Sequence, residues 1–235
     1  MRGAKKQTEA EAGENENGHG PYVSPLHAIP GFERVSHRKI YPRGSVLFGE
    51  GHNVRGVYVV CAGRAKLSIT SAEGRKLIVR IAKPGDMLGI DAVLTGNSYE
   101  ATAETLGPCP IDFISRKDLL ALLDRQKSSG MALAVAVSKE FSQFLEHARV
   151  LLLSGSAAEK LARLLLRLGD EFGEWTTTGI RLQTLLTHEE IAQMIGASRE
   201  TVTRTLNTLK QKHVIHARNG DLLIRNRAAL AALAQ

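Results

Sequence analysis

Thr187-His-Glu-Glu-Ile-Ala-Gln-Met-Ile-Gly-Ala-Ser-Arg-Glu-Thr-Val-Thr-Arg-Thr-Leu-Asn-Thr-Leu-Lys210 reads as two short helices joined by a tight turn. Thr187 with Glu190 three residues on forms a capping box, which satisfies orphan amides at a helix start. Ile191, Ala192 and Ile195 supply a buried stripe, Gly196-Ala197 permits the turn, and Ser198 caps the next helix through its hydroxyl. In that second helix Val202, Leu206 and Leu209 recur at helical spacing and must face the core. The opposite face keeps Arg199, Glu200, Thr203, Arg204 and Asn207. A row of Arg, Glu and Thr near a helix N-terminus is what reading base edges in a major groove requires.

Two amphipathic helices around a glycine turn occur in many helical domains, so the sequel decides. After Lys212 come Val214-Ile-His-Ala-Arg218, Asn219-Gly220 and Asp221-Leu-Leu-Ile-Arg225. Asn-Gly between two alternating runs is a strong hairpin signal, because both turn residues need positive φ. Helix, turn, helix and hairpin predict a winged helix-turn-helix. From Gly196 to Arg227 seven Lys/Arg face two acids, a local balance of +5 within a whole-chain formal charge of +7. Positive charge gathered on one motif fits double-stranded DNA as partner. Ser198, Lys210, Lys212, Arg218 and Arg225 are the candidate phosphate contacts, and Arg199, Glu200, Thr203 and Arg204 the candidate base readers.

The chain of 235 residues has room for two small domains. No apolar run approaches the ~20 residues needed to span a bilayer, so no membrane partner is expected. Residues 1–24 are rich in Glu, Gly, Asn and Ala and read as a disordered tail without a secretory signal. Two distant cysteines then point to a reducing cytoplasm and no structural disulfide.

Residues 25–126 carry short apolar runs separated by Gly and Pro turns: Ser45–Phe48, Val57–Val60, Ala65–Ile69, Leu77–Ile81 and Ile111–Ile114. That spacing predicts an antiparallel sandwich or barrel, which either holds a small ligand or is filled. From Lys127 to 153 a long amphipathic helix is expected. Ala134, Val137, Phe141, Phe144, Ala148 and Leu151 form an a/d seam that two copies would bury against each other, the alternative being packing along the chain's own sheet. Ser154-Gly155-Ser156 breaks the helix; Ser156 with Glu159 reads as a second capping box opening a C-terminal domain over 154–235.

A β-roll, a long helix, a hinge and a reader running Ser198-Arg-Glu-Thr-Val-Thr-Arg204 together resemble the Crp/Fnr transcription regulators. Tyr58–Lys66, Lys83–Gly89 and Phe113–Arg116 add to the likeness, which spans Ile29 to Leu230. The resemblance implies an α+β architecture: an antiparallel β-roll (double-stranded β-helix), a dimerisation helix and a winged helix-turn-helix. It implies a homodimer on a palindrome of TGTGA-like or TTGAT-like half-sites, with Arg199, Glu200 and Arg204 at the base-reading positions. It also implies RNA polymerase as a partner, through loop residues around Glu171–Trp175.

The departures are informative. Leu88, Gly89, Ile90, Tyr99 and Glu100 mark the candidate effector pocket. Where the cyclic-nucleotide branch carries a Glu and then Arg-Ser, this chain has Ile90, Tyr99 and Glu100, with Glu104 nearby and Leu145-Glu146 on the long helix. An anionic phosphate would meet like charge there, so an effector other than cyclic AMP is expected, its identity unknown. Any effector is expected between roll and long helix. No cofactor or metal is predicted: an iron–sulfur cluster takes four thiolates, and Cys61 and Cys109 are the only two. Both read as thiols with nothing basic beside them, and His27, His37, His52 and His147 as scattered surface histidines. No nucleophile elbow, phosphate loop or paired metal ligands appear, so no enzyme is expected. The rival classes are a sensory module whose winged helix contacts protein, and a metal-dependent double-stranded β-roll enzyme.

Overall fold

The computed structural model describes residues 24–126, 129–183, 186–218 and 221–235. The tail expected over 1–24 lies outside the described residues except for the buried Ser24, as do Lys127 and the Asn219-Gly220 turn.

The N-terminal half runs α1 (Phe32–Val35), β1 (Ser36–Tyr41), β2 (Val46–Phe48), β3 (Gly56–Val60), β4 (Ala65–Thr70), β5 (Lys76–Ala82), β6 (Met87–Leu88), α2 (Ile90–Thr95), β7 (Thr102–Thr105) and β8 (Cys109–Ser115). One antiparallel sheet has the order β1-β8-β3-β6 and faces a second of order β2-β7-β4-β5. Strand β3 is buried on both faces, and its alternation builds two cores. Tyr58 and Val60 point between the sheets toward Phe48, Ala103 and Ile111. Val57 and Val59 point outward to Phe32, Leu119 and Leu133, under a helical cover. Tight turns close the roll. At Gly63 φ is 77°, and a Cβ would lie 2.6 Å from the Pro108 carbonyl oxygen, so a side chain is excluded twice.

Strand β1 was not legible in the sequence, because its central residues His37 to Ile40 are all exposed and show no apolar alternation. The helical cover also starts earlier than expected. Helix α3 (Arg116–Arg125) opens where the Ser115 hydroxyl accepts the Asp118 amide at 3.1 Å.

Helix α4 (Ser129–Leu153) is followed, past Ser154-Gly155-Ser156, by α5 (Ala157–Phe172). The Ser156 hydroxyl accepts the Glu159 amide at 3.1 Å, while the Glu159 carboxylate reaches back as far as the Gly155 amide, at 2.8 Å. Next come β9 (Glu174–Thr176), β10 (Gly179–Gln183), α6 (His188–Ile195), α7 (Arg199–Gln211), β11 (Ile215–Arg218), β12 (Asp221–Ile224) and α8 (Arg227–Leu233). The sheet order β11-β12-β10-β9 gives the winged architecture, with Arg218 paired to Asp221 across the wing. Leu161, Leu165, Ile191, Met194, Val202, Leu206 and Ile224 fill this half. Ile78 of β5, fully buried, belongs to the same cluster, so a strand of the roll completes the C-terminal core.

On α4 the buried residues are Leu133, His147 and Val150. Val137 packs against the roll, and Leu151 is half-buried, its methyl 3.8 Å from where a Cβ on Gly196 would lie. Met131, Val135, Phe141, Phe144, Leu145 and Leu152 are exposed. The outward apolar stripe is thus rotated from the expected seam: Ala134, Phe141, Phe144 and half-buried Ala148 remain at or near it, while Val137 and Leu151 turn toward their own chain.

Candidate nucleic-acid interface

Helix α6 begins with the full capping box. The Thr187 hydroxyl accepts the Glu190 amide at 3.1 Å, and the Glu190 carboxylate accepts the Thr187 amide at 2.8 Å. Gly196, at φ 63°, ends the helix in the left-handed conformation and turns the chain. The Ser198 hydroxyl then caps α7 by accepting the Thr201 amide at 3.2 Å. Val202, Leu206 and Leu209 lock α7 into the core. The other face of α7 presents Arg199, Glu200, Thr203, Arg204 and Asn207 along one open concavity. Arg199, Glu200 and Arg204 are exposed, and Thr203 is half-buried.

Two of these side chains have partners within the protein. The Glu200 carboxyl is held below the usual range by its own backbone N–H and by the Ser198 hydroxyl, so it is an anion poised to accept hydrogen bonds. The Thr203 hydroxyl is 2.9 Å from Nδ1 of His188 on α6. His188 was not singled out from the sequence, since the contact joins the start of α6 to the middle of α7, which only the turn brings together.

Among the candidate phosphate contacts, Ser198, Lys212 and Arg225 are exposed and Lys210 is half-buried; the Arg218 side chain lies outside the described residues. Arg227, counted in the basic cluster, is tied to Asp170 of α5 at 2.8 Å. His213, at φ 55°, is the one non-glycine residue with positive φ among the described residues. It turns the chain from α7 into the wing, its amide bonding the Lys210 carbonyl at 3.0 Å.

Of the candidate effector residues, Tyr99 borders a cleft that it shares with Phe48, Arg55 and Tyr58. Leu88, Ile90 and Tyr99 are buried, and the Gly89 φ of 79° brings the backbone so close that a Cβ would lie 2.5 Å from the Tyr99 ring. That ring stacks on Phe48 at 4.0 Å, and its hydroxyl donates to the Gly56 carbonyl at 2.7 Å. Glu100 is exposed, so it does not line a closed anion site. Glu104 instead pairs with Lys66 at 3.1 Å, on the side of the roll that meets α6. Between roll and long helix, Arg80 of β5 bridges Asp86 at 2.6 Å and Glu140 of α4 at 3.2 Å. Burial alone would push the Arg80 guanidinium down; the two carboxylates hold it above its ordinary value.

Two histidines expected on the surface are withdrawn from it: His147 is buried, and the His27 side chain is 4% exposed. His147 has its pKa lowered to about 4 by burial and by Arg167, whose guanidinium is 3.0 Å from its Nδ1. His27 is hydrogen-bonded to Asp112 at 2.9 Å. Nor is Cys61 without a basic neighbour, because Arg38 donates to its sulfur at 3.4 Å. Burial nevertheless pushes the thiol up to about 12, with the Asp112 charge adding to it. His27, Cys61 and Asp112 offer ligand atoms within 4.8 Å of one another. Arg38 already binds both Asp112 oxygens at 2.8 Å, so a cation would have to displace a guanidinium. That donor set fits an ion-pair network better than a metal centre.

Comparison with known proteins agrees with this geometry. The cyclic nucleotide-binding domain family matches residues 38–126, and the Crp-like helix-turn-helix domain family matches residues 159–233. The nitrogen fixation regulation protein FixK of Azorhizobium caulinodans is 30% identical over 198 residues, covering 83% of this chain and 77% of that protein. The CRP-like cAMP-activated global transcriptional regulator of Mycobacterium tuberculosis is 28% identical over 196 residues, covering 83% of this chain and 87% of that one. Among solved structures, FixK2 from Bradyrhizobium japonicum superposes with a TM-score of 0.74 at 22% identity, over 86% of this chain and 98% of that one. With its β-roll, long helix and winged reader, this chain belongs to the Crp/Fnr family of transcription regulators, DNA-binding proteins rather than enzymes.

Proposed function

We propose that the protein is a homodimeric regulator that reads a palindromic operator, with Arg199, Glu200, Thr203 and Arg204 of α7 on base edges. Ser198, Lys210, Lys212, Arg218 and Arg225 hold phosphates around them. The observation that carries this reading is the outward face of α7: two guanidiniums and one carboxylate stand exposed on a helix whose other face is anchored by Val202, Leu206 and Leu209. Arginine forks match guanine O6/N7, and a carboxylate accepts from cytosine N4.

The apolar stripe of Met131, Val135, Phe141, Phe144, Leu145 and Leu152 supports α4 as the contact between two copies. The units of this reading are a β-roll over 25–126, a dimerisation helix over 127–153 and a reader over 154–235. The packing of Tyr99, and the Arg80 bridge to Glu140, support an effector other than cyclic AMP; isothermal titration detecting micromolar cyclic AMP would overturn that part. The reader works on DNA in the cytoplasm, with RNA polymerase as a further partner. Trp175 at the β9–β10 hairpin, 71% exposed, supports that contact.

Random-site selection with purified protein tests the proposal. The expected product is a two-fold symmetric site with half-sites about one helical turn apart. Recovery of unrelated sequences with equal affinity would sink it.

A further inference from the structure

We propose that His188 is a specificity-determining residue that acts through Thr203, committing the threonine hydroxyl to the protein so that its methyl group reads a thymine. The inference rests on α7 being the base-reading helix. His188 is the first residue of α6 and Thr203 lies in the middle of α7, yet Nδ1 and Oγ1 are 2.9 Å apart. In either tautomer the contact holds the hydroxyl toward α6, as donor to a bare Nδ1 or as acceptor from Nδ1–H. Threonine is stiff at χ1 because its Cβ is branched. Fixing Oγ1 toward α6 therefore fixes Cγ2 as well.

Thr203 borders the same outward concavity as Arg199, Glu200, Arg204 and Asn207. With its hydroxyl held toward His188, the other branch of its Cβ, the methyl, is what it offers a base edge. Arg199, Glu200, Arg204 and Asn207 beside it are charged or amide-bearing; the other methyl on this lining belongs to Thr208, nearer the C-terminal end of α7, whose hydroxyl donates to the Arg204 carbonyl at 3.1 Å. The complement of such a group in a major groove is the C5-methyl of thymine, which no other base carries. A threonine with a free hydroxyl would pair with donors and acceptors of any base. His188 thus turns an ambiguous side chain into a selective one.

The test measures binding to the selected operator, and to duplexes in which single thymines of one half-site are replaced by deoxyuridine, which lacks only the methyl. Wild-type protein is expected to lose roughly fourfold in affinity at one thymine, the transfer free energy of one methyl group. Thr203→Val, which keeps a methyl and lacks the hydroxyl, retains that loss; Thr203→Ser, which has no methyl, abolishes it. His188→Ala shrinks the loss and broadens the preference at that base pair only, and His188→Asn, which keeps a polar atom near the Nδ1 position, restores most of it. A deoxyuridine penalty absent in Thr203→Val, or unchanged in His188→Ala, overturns the proposal. If Arg204→Ala relaxes base preference while the deoxyuridine scan is flat, this proposal alone fails. If Arg204→Ala leaves preference unchanged as well, the reading of α7 fails with it.

Discussion

Lys66 Nζ lies 2.8 Å from Glu190 Oε1, so a lysine of the β-roll holds the carboxylate that also completes the capping box of α6. Glu104 flanks the same ammonium at 3.1 Å. Lys66 and Glu190 are each 8% exposed, which puts the pair among buried ion pairs rather than surface ones. Removing one partner of such a pair leaves an uncompensated charge and costs about 3–5 kcal/mol. Lys66→Ala is therefore expected to lower the urea midpoint substantially, while Glu190→Gln, which keeps a capping acceptor, lowers it less. Equal, negligible shifts would count against the latch.

The same pair sets a pH window. Burial pushes the Glu190 carboxyl up, but Lys66 and the Thr187 amide outweigh it and leave the group below its ordinary 4.5. Its contribution is present above 4.5 and is lost as pH falls through the folded-state value. Lys66 is shifted down by burial and further up by Glu190 and Glu104, ending above its ordinary 10.5. Its contribution is full below 10.5 and fades as pH rises through the folded-state value. Thermal denaturation of wild type against Glu190→Gln should show a gap that is constant near neutrality and closes on acidification below pH 4.5.

Arg204→Ala is expected to cost about 1–3 kcal/mol at the cognate operator and to relax preference at one base pair. Lys212→Ala should weaken binding to all sequences alike and reduce the salt slope by about 1. Fluorescence anisotropy over a salt series separates the two. A uniform loss for Arg204→Ala on random DNA would remove it from the base-reading set.

His213 holds a left-handed backbone that costs a side-chain-bearing residue about 1 kcal/mol or more. His213→Gly should stabilise the protein by about 1 kcal/mol, read as a rise in the denaturation midpoint. A loss of stability would mean the imidazole makes a contact worth more than the strain.

Burial raises the Cys61 thiol to about 12 and Cys109 to about 11. The thiolate is the reactive form, so alkylation by iodoacetamide at pH 8 should be far slower in the native protein than in urea. Native-state labelling as fast as that of free cysteine would contradict the buried geometry.

Phe141→Glu places a charge on the exposed stripe of α4 and is expected to shift sedimentation from dimer to monomer and to weaken operator binding. An unchanged dimer would move the contact elsewhere.

The reader was legible in the sequence because its devices are local. The Thr187 box, the Gly196 turn, the Ser198 cap and the Val202–Leu206–Leu209 stripe each lie within a few residues of their partners. The roll was legible in part: the longer apolar runs stood out, and β1, β6 and β7 did not. What escaped was pairing over long separations. Lys66 with Glu190, Arg80 with Glu140 and Arg38 with Asp112 are charged residues whose spacing in the chain shows no pattern. A charge reads as solvated until a fold brings its counter-ion alongside. Glu100 and Glu104 differ for the same reason: they are close in sequence, yet one faces solvent and the other faces Lys66. On α4 the outward apolar stripe is offset from the a/d pattern because the roll claims Val137.

Ile78 carries a practical warning for anyone recombining this chain. Because this roll side chain belongs to the same buried cluster as Leu161, Met194 and Val202, sensor and reader are not interchangeable cassettes. A chimera that grafts the reader onto a foreign sensor inherits an unfilled socket unless the donor strand brings an aliphatic plug of matching size.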